Sequence, residues 1–397
     1  MNILYVSSMY PPSLGGAQVH LHHLAKEMQG SGHGVRVVTH TWRNRRDWLR
    51  FSTVLSEDEA RCDVEGIDVL RMGFSQATRL RMLPWALSYY LLMGPAVRNL
   101  AGFMEEFMER RVEVPTLVHA TRIGREFIAR AALDFARRHG VPFVLTPNHH
   151  PRWKGPRYRE YARIYREADA LVALTAFERE TLVREFGVDG ERVHVTGIGP
   201  LLADRFSAEE FRERYGIKGR FVLYLGQQCR YKGIAALAAA APRVWEKHPD
   251  VRFVFIGPPT AESRKLFGTL HDPRYLNLGA VDLETKTAAL AACEFLCLPS
   301  AQESFGGVFV EAWSQRKAVI GGRIGPIACV VDEGENGLLS SQDPRELADA
   351  VARLLADPAA CEAMGNAGWR KVQEQYAWPR LAEKTRAVYR SLGVGDA

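Results

Sequence analysis

Seven apolar runs in the first half of the chain (NILYVSS, GVRVVTH, IDVLRMGF, TLVHA, VPFVLTP, ALVALT and VHVTGIG) are followed by six in the second (RFVLYLG, VRFVFIG, YLNLGAV, EFLCLPS, KAVIGG and GLLSS). Each is five to eight residues long, and helical stretches separate them. Continuous apolar runs of this length read as strands buried on both faces; alternating with helices, they build parallel sheets with helices above and below. Two such sets predict an α/β protein of two doubly wound, Rossmann-like domains. The join is expected near GIGPLLADRF (197–206), where glycines and a proline follow a strand. A length of 397 residues agrees, being too great for one ordinary core.

Composition narrows the class. With 47% hydrophobic and 25% charged residues the chain is globular rather than disordered. None of the six cysteines forms a CxxC pair, and Cys293 and Cys297 lie in the core-like AACEFLCL, so reduced, buried thiols are expected rather than disulfides or a zinc site. The start, MNILYVSS, lacks the basic region and long apolar segment of a signal peptide and reads as a first strand; the expected location is the cytoplasm. The most apolar stretch, MLPWALSYYLLMGPAV (82–97), is shorter than the roughly 20 residues a membrane crossing needs and contains Pro84 and Pro95. The net charge of +6 is lopsided: residues 1–200 hold 27 basic against 22 acidic residues, a surplus of 5.

In open α/β sheets ligands sit beyond the carboxyl ends of the strands, where loops meet helix N-termini. The first strand runs into MYPPSLGGAQVH (9–20), where Gly15 and Gly16 let backbone approach a ligand or merely soften a turn. It is not a GxGxxG fingerprint and none follows any other strand, which argues against a nicotinamide dehydrogenase. In the second half YLGQQCRYKGI (224–234) sets Arg230 and Lys232 at the head of a helix, an arrangement suited to an anion and equally to a solvated loop. CLPSAQESFGGVFVEAW then runs strand, loop, helix, with the amides of Phe305, Gly306 and Gly307 expected to face the same cleft as Lys232. A diphosphate fits between these elements. Glu303 would accept from sugar hydroxyls. Glu311, an ionisable group among Val, Phe and Trp, needs a strong partner. The two hydroxyls of a ribose are one candidate, and an internal pair with Arg316 or Lys317 is the other.

The E-x7-E pair in ESFGGVFVE, the GG after the first strand, RYKG and GENGLL (334–339) together resemble the retaining glycosyltransferases of family 4. The resemblance runs from PPSLGG through GSGHGV (30–35) to ADPAACEAMGNAG (356–368). It implies the GT-B architecture, two Rossmann-like domains facing a central cleft. The N-terminal, acceptor-side domain would span 1–198 and the nucleotide-sugar domain 199–377. A final helix (378–397), beginning near Trp378, would pack back on the first domain. It also implies a nucleotide-sugar substrate, no cofactor and no metal in the transfer step. Carried over residue by residue, Glu303 would lie at the donor sugar, Glu311 at the ribose and Val281 at the base, with Ser304, Phe305, Gly306 and Gly307 among the donor- and nucleotide-binding residues. Lys232, Gly226 and Gln227 would lie near the diphosphate, with Gly15 and Gly16 beneath it. Three positions depart from the pattern. Gln227 stands where arginine is usual, leaving Arg230 to supply the charge; Thr121 stands where a second histidine is frequent after His119; and Cys329 stands where glutamate is common, with altered packing behind the donor site the expected consequence.

The function expected is transfer of a hexose from a nucleotide sugar, UDP-glucose rather than GDP-mannose, to a glycan or lipid-linked acceptor in cell-surface polysaccharide or glycolipid synthesis. Lys232, Arg230 and helix N-termini would stabilise the leaving diphosphate. Glu303, Lys232, Arg230 and His119 are the catalytic candidates; His119, with Arg122, His149 and His150, at strand ends of the first domain, is also a candidate for acceptor or sugar contacts, or for satisfying loop backbone. The trio His20, His22 and His23 lacks a carboxylate or cysteine at metal-ligand spacing. WRNRRDWLRF (42–51) and RLRMLPWALSYYLLM (79–93) set arginines beside aromatic and aliphatic residues. They fit either contact with an anionic membrane face or a loop plus a buried helix. No nucleic-acid motif accompanies the charge. A nucleotide-sugar epimerase and a non-catalytic sugar-binding protein are the rival readings.

Overall fold

The computed structural model describes residues 1–12, 15–41, 58–121, 126–150, 153, 155 and 158–395. The chain forms two compact units, Met1–Gly197 with Trp378–Ala397, and Ile198–Ala377.

The first unit is built on an eight-stranded sheet of β1 (Asn2–Met9), β2 (Gly34–Thr41), β3 (Ala60–Val64), β4 (Ile67–Arg71), β5 (Leu117–Thr121), β6 (Phe143–Thr146), β7 (Ala170–Ala173) and β8 (Val193–Val195). Its order is β3-β4-β2-β1-β5-β6-β7-β8, and every pairing except β3 with β4 is parallel. The seven expected strands are present. β3 is additional: ARCDV alternates half-buried and exposed positions along the sheet edge, so it carries no apolar run to betray it. It turns into β4 through Glu65 and Gly66, both at positive φ (51° and 89°), the two-residue hairpin geometry that matches strand twist.

Alternation along the strands divides the core. Leu4 and Val6 of β1, with Val118 and Ala120 of β5, face one hydrophobic cluster, under the helices Met93–Arg111 and Glu126–His139. Ile3 and Tyr5, with Leu117, face the other, covered by the helices Gly16–Gly30 and Trp378–Ser391. The terminal helix is therefore part of the first unit's core: Tyr389 is fully buried and its hydroxyl lies 3.1 Å from that of Tyr5.

The second unit holds six parallel strands: β9 (Phe221–Leu225), β10 (Arg252–Ile256), β11 (Tyr275–Gly279), β12 (Phe295–Leu298), β13 (Ala318–Gly322) and β14 (Gly337–Ser340). They match the six apolar runs, and their order is β11-β10-β9-β12-β13-β14. The direction of winding reverses between β9 and β12. A crevice opens there, beyond the carboxyl ends, because the loops leaving these two strands go to opposite faces of the sheet. In the first unit the reversal falls between β1 and β5.

Candidate active site

The loops leaving β9 and β12 meet at the reversal point of the second unit. After β9 the chain passes Gly226 and the exposed Gln227 into a single 3-10 turn, Arg230–Lys232, and then the helix Ile234–Trp245. Gly233 joins turn to helix at φ 82°, and a Cβ there would lie 2.6 Å from the carbonyl oxygen of Pro299 in the loop after β12. Both the left-handed backbone and the close approach demand glycine. Gln342 fastens the same junction, donating from Nε2 to the carbonyls of Tyr231 (3.0 Å) and Pro299 (2.8 Å).

This junction sets the Lys232 ammonium against the Glu303 carboxylate in an ion pair with both side chains largely buried. Residues 71 positions apart thus share one small volume. Arg230, one turn of chain away, is exposed and makes no ion pair among the described residues. Ser304 is half-buried, and Phe305 is buried with its ring edge-on to Tyr376. Gly306, at φ 86°, heads the helix Gly307–Ser314 with no side-chain cap, so the first amides of the helix have no protein acceptor of that kind. Val281, half-buried, follows β11 on the other side of β9.

Glu311 is buried one turn into that helix, and its partner is neither Arg316 nor Lys317. Lys286, from the helix Leu283–Ala292, places Nζ 2.9 Å from Glu311 Oε1 and donates to the Leu201 carbonyl at 2.7 Å. Glu311 Oε2 is buried with no hydrogen-bond partner. Burial pushes the carboxyl pKa up, because desolvation disfavours the charged form, and Lys286 opposes the rise. Cys329 is exposed.

In the first unit Gly15 and Gly16 open the helix Gly16–Gly30 after β1, at the reversal point of that sheet. His119 is not placed for catalysis. It is fully buried on β5, with Nδ1 2.6 Å from the Tyr389 hydroxyl and Nε2 2.8 Å from Thr146 Oγ1; both ring nitrogens are occupied inside the core. Burial lowers its pKa to about 3. His149 is buried too, its ring edge-on to Phe186 and its backbone N–H donating to Glu178 Oε1 at 2.6 Å, while His150 is half-buried beside Trp153. His23 stacks on Trp378 of the terminal helix, His20 lies against the same ring, and His22 meets Tyr10 and Glu65. No cluster of three or more His, Cys, Asp or Glu suited to a metal occurs among the described residues. Arg122 and the stretch 42–51 lie outside the described residues.

The family model described as Glycosyl transferases group 1 matches residues 219–357, and the one described as Glycosyl transferase 4-like domain matches 15–199. The chain belongs to the group 1 glycosyltransferases. Relatives and folds agree. A glycogen synthase of Mycobacterium tuberculosis is 27% identical over 413 residues, covering 100% of this chain and 96% of its own. The sucrose-phosphate synthase of Thermosynechococcus elongatus superimposes with a TM-score of 0.76 at 19% identity, over 99% of both chains. Anabaena HepE, solved in complex with UDP-glucose, gives 0.72 at 16% identity over 99% of both chains. Both structures have the GT-B fold, as this glycosyltransferase does.

Within this glycosyltransferase, sequence reasoning missed Lys286 and Gln342. Lys286 sits in LETKTAALAA as an ordinary helix lysine, and nothing in its spacing points toward Glu311. Gln342 follows β14, and its role exists only because that loop lies beside two others.

Proposed function

We propose that this glycosyltransferase moves a hexosyl group from a nucleotide sugar to a hydroxyl of a glycan or lipid-linked acceptor. In this reading the anomeric configuration is retained and the transfer step uses no metal. The pairing of Lys232 with Glu303 at the β9/β12 crevice carries the reading, because it sets a cation for a leaving phosphate beside a carboxylate for sugar hydroxyls. A donor of UDP-glucose type is favoured over GDP-mannose by the likeness to a chain solved with UDP-glucose.

As the anomeric C–O bond breaks, its electron pair goes to the diphosphate and the sugar gains oxocarbenium character. Lys232, Arg230 and the uncapped amides of helix Gly307–Ser314 stabilise the first charge, an electrostatic contribution that is often the largest in catalysis. Glu303, released from Lys232 as phosphate arrives, accepts from the sugar hydroxyls. Glu311 Oε2, which lacks a protein donor, takes a ribose hydroxyl. With His119 committed to the core, the acceptor proton passes to the departing phosphate oxygen as the acceptor attacks from the same face.

The test is incubation with UDP-glucose or GDP-mannose, with and without a panel of glycan and lipid-linked acceptors. Nucleotide release that depends on acceptor, with an unchanged anomeric configuration by NMR, is the expected result. Sugar interconversion without acceptor would make the protein an epimerase, and binding without turnover a sugar receptor.

A further inference from the structure

The second segment that sequence reasoning set beside a membrane lies within the described residues, and its geometry narrows the matter to one turn. Pro84 is accommodated inside the helix Gln76–Leu87 and Pro95 in the first turn of Met93–Arg111, so the chain breaks at residues 88–92 between them. No described helix is long and apolar enough to cross a bilayer. The turn is firmly built. Ser88 N–H and Oγ both donate to the Pro84 carbonyl, and the amides of Leu91 and Leu92 donate to the Ser88 carbonyl, at 2.8–2.9 Å. Tyr89 points inward, fully buried, with its hydroxyl on Glu126.

Outward, the same turn presents leucines. Leu87 is 60% exposed, Leu91 87%, and Leu80, on the helix before, 69%. With Leu92 and Tyr90 they make five of the nine exposed large hydrophobic residues among those described; the other four, Val114, Val195, Phe206 and Leu283, are scattered in sequence. Scattered exposed apolar residues need no explanation, but a concentration on one anchored turn does.

Charge selects what covers it. Between Asp68 and Glu105 the chain has four arginines and no acidic residue. Arg79 is paired with Asp58, but Arg81 and Arg98 are exposed, Arg81 with its guanidinium over Phe103. Close by, Glu160 is the shared carboxylate of Arg159 and Arg163 and approaches Gly94. The surplus around the turn is cationic. A second copy of the chain is a poor occupant, since a two-fold interface would set this patch against itself, cation against cation. Through Tyr89 the turn is tied to Glu126, which opens the helix after β5, so it stands at the carboxyl edge of the first sheet, where its reversal point lies.

We propose that the Leu87–Leu92 turn docks this enzyme on an anionic lipid surface, its leucines entering the interface while Arg81 and Arg98 meet the headgroups. This goes beyond the transfer reaction and stands without it, because vesicle binding requires no donor. Sedimentation with phosphatidylglycerol/phosphatidylcholine vesicles should carry the protein down at low salt and release it as salt rises. Leu87→Ser/Leu91→Ser/Leu92→Ser should abolish binding, and Arg81→Ser/Arg98→Ser should weaken it about fivefold for each arginine removed. All the substituted residues are exposed, so circular dichroism and nucleotide affinity should match wild type. Wild-type protein left in the supernatant at low salt would overturn the proposal. So would wild-type binding by the triple serine variant, equal binding to pure phosphatidylcholine, or a dimer that the serine variant dissociates.

Discussion

Lys286 Nζ lies 2.9 Å from Glu311 Oε1, bridging the helix after β11 to the helix after β12 in the second unit. Burial pushes the Glu311 pKa up, and Lys286 is the cation that opposes the rise. Lys286→Met should therefore raise the Glu311 pKa further. A protonated carboxyl accepts fewer hydroxyl donors, so nucleotide affinity in the variant should fall as pH drops from 8.5 to 5.5, while wild type stays flatter. Calorimetric titration of UDP across that range reads the difference, with Lys286→Arg restoring the wild-type profile. A variant with unchanged, pH-independent affinity would make Lys286 a packing residue.

Glu303 and Glu311 should separate by phenotype. Glu303 sits in the loop at the crevice and touches Lys232, whereas Glu311 is buried in the following helix. Glu303→Ala is expected to lose transfer by at least about 10²-fold with nucleotide binding retained, the scale of losing one electrostatic contact in a transition state. Glu311→Ala is expected to weaken nucleotide binding first. Steady-state kinetics with binding titrations on both variants decide this; either variant retaining both wild-type turnover and wild-type affinity sinks the assignment.

Lys232 and Arg230 should differ less than their exposure suggests if Arg230 swings onto the diphosphate. Arg230 is exposed and unpaired among the described residues, whereas Lys232 is held by Glu303. Arg230→Ala and Lys232→Ala should each cost roughly 2.7–4 kcal/mol in transition-state stabilisation, read from kcat/KM. Near-normal turnover in Arg230→Ala would leave Lys232 and the helix amides to stabilise the leaving group.

Acid should loosen the first unit. Burial lowers the pKa of His119 to about 3 and of His20 and His40 to about 4, against an unfolded value of 6.5. The unfolded chain therefore binds more protons below pH 6.5, and stability is lost as pH falls from there toward 4, each pKa unit being worth about 1.4 kcal/mol. Thermal unfolding scanned from pH 7 to 4 should show a steep fall in Tm. His119→Gln should flatten the pH slope, and an unchanged slope would show that His119 does not contribute.

The sequence by itself determined the strands of both sheets that are buried on two faces, because a strand covered on both sides must be a continuous apolar run, and such runs are visible without neighbours. It also marked the loops that carry Lys232, Glu303 and Glu311, since glycines before helices and an ionisable residue in an apolar helix are local signals. The edge strand β3 stayed hidden because half its side chains face water. Only the tertiary structure decided partners. Lys286, not Arg316 or Lys317, reaches Glu311, because the crossover from β11 to β12 brings two successive helices together. His119 was withdrawn from chemistry by Tyr389, 270 residues away, on a helix whose residues join the first unit's core. An ion pair or a buried hydrogen bond depends on which side chains the packed layers bring within about 3 Å. That is a property of the sheet's winding rather than of any one stretch of chain.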